Sequence, residues 1–165
     1  MKVAFVEPPP LEGRTAERFA GCTYELYHFP DLVNLYAFTA LANAGHDVRY
    51  LDCQLDGMGP RGFERWLAAD DSDAYVLHGV ILSKPTDLAW MRRILETRPS
   101  ARILLHGPEP TRVAAEYGID SSVTVFRGEV EGSMPGFLRD GDLRGTTTFE
   151  SGAPVHHPMA PELSF

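Results

Sequence analysis

The stretch Lys2-Val3-Ala4-Phe5-Val6-Glu7, followed at once by Pro8-Pro9-Pro10, decides how the rest of the chain is read. It is a short apolar run of branched and aromatic residues with no polar alternation. Such a run predicts a strand buried on both faces, the form found in parallel sheets. Proline has no backbone N–H to extend a ladder, so the prolines end the strand and force a loop at its carboxyl end.

Working outward, the pattern recurs in Val48-Arg49-Tyr50-Leu51-Asp52, in Ala74 to Ile81, in Ala101-Arg102-Ile103-Leu104-Leu105 and in Val123-Thr124-Val125-Phe126. Between these runs the apolar residues fall at helical spacing. Asp31 is placed to cap a helix carrying Leu32, Leu35, Tyr36, Phe38, Thr39 and Leu41, which Gly45 ends. Phe63, Trp66 and Leu67 mark a short helix. Pro85 opens another, with Leu88, Met91, Ile94 and Leu95 on its apolar face and Pro99 closing it. Arg112 to Tyr117 predicts one short helix stopped by Gly118, and Ser133 to Leu138 starts a last one.

Strands that alternate with helices predict parallel pairing through right-handed crossovers, with helices on both faces. Five strands in this rhythm predict a doubly wound α/β sheet of flavodoxin-like or Rossmann-like order 2-1-3-4-5, with a crevice between the first and third strands and ligands outside the strand carboxyl ends. Residues 1–140 make this domain, and residues 141–165 an extension. In the extension Thr146 to Val155 reads as a hairpin turning at Ser151-Gly152, and His156 to Pro161 as an irregular linker.

A chain of 165 residues is one domain by size. Its net charge of −8 argues against a nucleic-acid platform and against docking on anionic lipid. No apolar run has the length of a membrane span, and the first residues do not form a signal peptide. With only Cys22 and Cys53 it does not read as a secreted disulfide scaffold, and the cytoplasm is the expected compartment.

The candidate site residues stand at strand ends: Pro8, Pro9, Ser83, Lys84, His106, Gly107, Pro108, Gly128 and Glu129. Small residues there let a ligand approach the backbone, although glycines also serve as plain turns after strands. The Ser83 hydroxyl can donate and accept. His106 is a candidate to line the crevice, and His28, in the long loop 11–30, is a weaker one. His78, inside its strand, is expected to be buried and hydrogen-bonded, and His46 to cap or meet solvent. His156-His157 in a linker is more often incidental than metal-binding. Cys22 has no base identifiable from spacing. The fingerprints of nucleotide phosphate, dinucleotide and hydrolase chemistry (G-x-x-x-x-G-K-[ST], G-x-G-x-x-G and G-x-S-x-G) are missing. The two cysteines, 31 positions apart, make no metal pair, and there is no C-x-x-x-C-x-x-C for an iron–sulfur cluster. An autonomous enzyme would have only Glu7, His106 and Glu129 as an acid–base set.

Taken together, Val3 to Pro9, Ala40 to Asp52, Gly107-Pro108-Glu109-Pro110 and Arg127-Gly128-Glu129-Val130-Glu131 resemble the cobalamin-binding domain at the amino terminus of many radical S-adenosylmethionine enzymes. The resemblance implies a corrinoid over the strand ends, its nucleotide tail beside Ser83 and Gly107, with Gly128 and Glu129 on the rim and Pro8 to Pro10 near the corrin. Cobalamin domains of the methyltransferase and mutase type carry Asp-x-His-x-x-Gly after the first strand. Here the stretch is Glu7-Pro8-Pro9-Pro10-Leu11-Glu12-Gly13, so cobalt would lack that histidine ligand. S-adenosylmethionine and a 4Fe-4S cluster would belong to a radical domain, fused or in a partner chain. The implied role is a cobalamin module in such a system, with methyl transfer as the implied reaction and no catalysis alone. The alternative is a non-catalytic flavodoxin-like interaction domain that has lost corrinoid binding. Ser83→Phe or Gly107→Trp is expected to block ligand entry and leave the fold intact, because bulk would fill the crevice.

Overall fold

The computed structural model describes residues 1–11 and 30–159. One sheet runs β2-β1-β3-β4-β5-β6-β7. Its strands are β1 Lys2–Glu7, β2 Asp47–Asp52, β3 Ala74–His78, β4 Arg102–His106, β5 Val123–Phe126, β6 Thr146–Glu150 and β7 Ala153–His156. Strands β1 to β5 pair in parallel, and the β6–β7 hairpin joins antiparallel to β5. The doubly wound order 2-1-3-4-5 with a terminal hairpin is therefore the one the sequence predicts. The hairpin extends the same sheet and covers the outer side of β5.

Helices α1 Leu32–Asn43 and α5 Val130–Asp140 cover one face; α2 Pro60–Ala69 and α3 Lys84–Thr97 cover the other. The uniformly apolar strands still alternate face by face. Val3 and Phe5 of β1 join Val76, Leu104 and Phe126 under α1 and α5, while Ala4 and Val6 join Tyr75, Leu77 and Leu105 under α2 and α3. On the second face the Phe63 ring meets Trp90 edge-on at 4.8 Å between centroids and stacks on Trp66 at 5.6 Å. Trp90 Nε1 also donates to the Pro9 carbonyl at 2.8 Å, tying α3 to the end of β1. A buried indole needs such an acceptor.

Three boundaries differ from the sequence reading. β3 stops at His78 instead of Ile81, and Ile81 is 64% exposed. The strand gives way to a turn in which the Ser83 N–H and hydroxyl both bond the Val80 carbonyl at 3.1 Å. The single helix expected over Arg112 to Tyr117 is instead α4, Pro108–Arg112, followed by a 3-10 turn, Ala114–Tyr117. Pro108 and Pro110 are tolerated because the first turn of a helix has no intrahelical N–H bonds to lose. α5 begins at Val130, ahead of Ser133.

Candidate functional site

The last residues of β1, β3 and β4 are Glu7, His78 and His106, and all three are buried. Buried polar groups must be paired to be tolerated, and here α1 supplies the partners. Asp31 caps α1 through Oδ1, which accepts from the backbone N–H of Val33 at 2.9 Å and of Asn34 at 3.2 Å. Its other oxygen accepts from His78 Nδ1. The His78 ring stacks on His106, with centroids 5.0 Å apart and planes 20° apart. His106 Nε2 bonds Asn34 Oδ1 at 2.8 Å, and Asn34 Nδ2 reaches Glu7 Oε1 at 3.4 Å. The Tyr50 hydroxyl donates to the same Glu7 oxygen.

Electrostatics follow from this packing. Burial works to raise the Asp31 carboxyl, but the bond and charge of His78, helped by the Asn34 N–H, hold it below its usual range. Burial pushes His106 down to about 3, the neighbouring His78 acts in the same direction, and Asp31 opposes. His106 is therefore neutral at physiological pH. Burial first, and then the charge of Glu7, push the Tyr50 hydroxyl far up.

Above this layer lies a cavity of about 330 Å³. Its floor is His78, His106 and Gly107; its walls are Val33 of α1 and the start of α5, with Thr111 opposite. Gly107 has φ +116°, and a Cβ there would lie 2.5 Å from both the Gly79 carbonyl oxygen and His78 Cδ2. Only glycine fits this backbone. A larger trough of about 770 Å³ follows β2, between Asp56 and Arg65. It is lined mostly by exposed residues of the connection after β2 and the start of α2, and none of its lining residues is buried.

Of the residues singled out in the sequence, His106, Gly107, Pro108, Gly128 and Glu129 line the cavity. Ser83, Lys84, Pro8 and Pro9 do not. Ser83 is 0% exposed; its Oγ lies 2.5 Å from Asp87 Oδ2 and accepts from the Val80 N–H at 3.1 Å. Lys84 pairs with Glu116 and approaches Glu109 at 3.7 Å. Pro8 and Pro9 are buried at the end of β1. Among the described residues the cavity lies over the ends of β3, β4 and β5, while Glu7, Asn34, Pro8 and Pro9 are buried at the end of β1. Neither Ser83 nor Gly107 is a position where bulk leaves the fold intact: the first is enclosed, and the second is pressed against backbone. His28 and Cys22 lie outside the described residues.

Asn34 and Tyr50 were not legible as site residues. Asn34 had one signal: it occupies the stripe 34, 37, 41, where Ala37 and Leu41 are core. A polar residue on an apolar stripe marks a buried hydrogen bond. Among the described residues no group of three or more His, Cys, Asp or Glu is arranged to hold a metal ion.

No family model matches this chain, and no curated protein does. Solved structures do. The cobalamin-dependent S-adenosylmethionine radical enzyme OxsB, with aqua-cobalamin and S-adenosylmethionine bound, superposes with a TM-score of 0.73 at 16% identity, over 97% of this chain and 22% of that one. OxsB with aqua-cobalamin alone gives 0.72, also at 16% identity, over 97% of this chain and 22% of that one. The radical S-adenosylmethionine methyltransferase TsrM from Kitasatospora setae, with tryptophan substrate and aza-SAM bound, gives 0.67 at 13% identity, over 95% of this chain and 30% of that one. At such identities the likeness is one of fold: the chain has the architecture of a minor part of these radical S-adenosylmethionine enzymes.

Proposed function

We propose that this chain is a corrinoid-binding module of a radical S-adenosylmethionine system, serving methyl transfer and not catalytic alone. The observation that carries the reading is a coincidence of fold and cavity. The fold matches part of OxsB over 97% of this chain, and the chain's own cavity opens at the strand carboxyl ends, where doubly wound sheets hold ligands. The residues fit the group. A volume of about 330 Å³ takes a nucleotide side arm and leaves a macrocycle at the mouth. The floor is Gly107 and the imidazoles of His78 and His106, uncharged at His106, and is compatible with a ligand bordered by carboxamides.

Cobalamin, when bound, supplies a cobalt centre able to carry a methyl group; the chain's share is to bind and orient it. Gly107 lets the ligand approach the backbone, Gly128 and Glu129 form the rim, and His78 and His106 hold the floor. Glu7 to Gly13 contains no histidine, so cobalt takes no such ligand from this loop. The cluster and S-adenosylmethionine belong to a radical domain, fused or separate. Among the described residues no helix is long and apolar enough to cross a membrane, and the proposal puts the module in the cytoplasm.

The test is direct. Hydroxocobalamin is mixed with the purified chain, free ligand is removed by desalting, and the visible spectrum is recorded. Retained corrinoid absorbance is expected; a colourless, folded protein overturns the proposal. One observation favours the rival interaction domain: Pro8 and Pro9, expected to lie near the corrin, are buried and are not among the residues lining the cavity. A colourless result selects that rival.

A further inference from the structure

The hydrogen bonds beneath the cavity determine which nitrogen of His106 carries the proton. A carboxylate oxygen has no proton to give, so Asn34 must turn its Nδ2 toward Glu7 Oε1. Asn34 Oδ1 then faces His106 Nε2 at 2.8 Å, and as an acceptor it requires Nε2 to be the protonated nitrogen. Asn34 is 0% exposed and held at both ends of its amide, so the amide cannot rotate by 180° to admit the other His106 tautomer without breaking the contact with Glu7. His106 lines the cavity, and among the described residues nothing bonds its Nδ1.

We infer that His106 is a positioning residue for the cavity's occupant, its Nδ1 lone pair accepting a hydrogen bond from an N–H or O–H group of the ligand. The inference rests on the corrinoid reading and assigns the ligand group that meets the floor: a carboxamide N–H or a ribose hydroxyl. An anionic oxygen is disfavoured at this point, since a phosphate or carboxylate brings no proton to the lone pair. The rim residues Glu129 and Glu131 act in the same sense, and no Lys or Arg is among the lining residues to offset them. The Glu7–Asn34 relay behind Nε2 makes Nδ1 a better acceptor, as outer partners do for other imidazoles. The neutral state fits the same picture, because burial holds His106 at about 3.

The experiment uses the full chain with 15N-labelled histidine and hydroxocobalamin as the probe. Without ligand, His106 is expected to show a protonated Nε2 and a bare Nδ1 from about pH 5 to 8. On loading, its Nδ1 resonance is expected to shift. In equilibrium binding, His106→Leu is expected to weaken the corrinoid about tenfold, one hydrogen bond's worth, whereas His106→Gln, with a donor and an acceptor, stays within about threefold. A protonated Nδ1 in the free protein overturns the inference. So does an unmoved Nδ1 in a loaded protein, and that result leaves the corrinoid reading standing. Failure of the wild-type chain to retain hydroxocobalamin removes the reading and the inference together.

Discussion

The carboxyl edge of the sheet has two halves built from the same sequence device, an apolar strand that runs into prolines or glycines, and they end in opposite states. At the end of β1 the described residues are packed against one another. Pro8 and Pro9 are buried, Trp90 bonds the Pro9 carbonyl, and Asn34 and Tyr50 reach Glu7. At the ends of β4 and β5 the chain stays open, because Gly107 and Gly128 bring no side chain over the cavity that His106 floors. A strand end is thus a place where a ligand can bind, and what the flanking helix sends back over it decides whether one does. α1 links the two: its capping Asp31 bonds His78 of β3, and its Asn34 bonds both Glu7 of β1 and His106 of β4.

The largest expected effect comes from breaking the link between the halves. Asp31→Ala removes the cap of α1 and leaves His78 without its buried carboxylate, at a cost of about 3–5 kcal/mol. Chemical denaturation measures it, and a loss below about 1 kcal/mol would mean the pair does not join α1 to the sheet.

Acid is next. His106 has a folded value of about 3 against 6.5 when unfolded. Below the unfolded value the unfolded chain binds the proton and the folded chain does not, so the stability present above pH 6.5 declines as pH falls toward 3. The slope reaches about 1.4 kcal/mol per pH unit. Asp31 has its folded value lowered, so its contribution is present above about pH 4 and is lost below that. Unfolding curves of the wild type and of His106→Gln between about pH 7 and 4.5 isolate the histidine. Equal pH dependence in the two proteins would show that the imidazole is not held neutral.

A third change tests the open half alone. Gly107→Ala puts a Cβ against the Gly79 carbonyl and the His78 ring at positive φ. The expected cost is about 2–3 kcal/mol, seen as a lower Tm. The smallest effect is expected from Lys84→Ala. Lys84 pairs with the exposed Glu116 and lies outside the cavity lining. The change in stability should be below about 1 kcal/mol, with hydroxocobalamin retention unaltered. A marked loss of retention would move the ligand toward α3.

The fold was legible because its signals are local and repeated. Val3 to Val6, Tyr75 to Leu77 and Ile103 to Leu105 are each apolar throughout, and the helices between them leave little choice of topology. The site was legible in part. Glycines and prolines after strands point to the carboxyl edge, and His106, Gly107, Pro108, Gly128 and Glu129 do line the cavity. Ser83 looked available for the reason it is not: a hydroxyl at a helix start serves a ligand or its own turn, and Asp87 one turn along claims it.

The sequence by itself determined the strand order, the buried faces and the edge at which a ligand can sit, since hydrophobic period and chain breaks are properties of neighbours along the chain. Only the tertiary structure decided which described residues of that edge line a cavity and in which state His106 stands there. Those depend on Asp31, Asn34 and Tyr50 meeting residues brought together from other elements. Desolvation and hydrogen-bond partners exist only once those elements have packed.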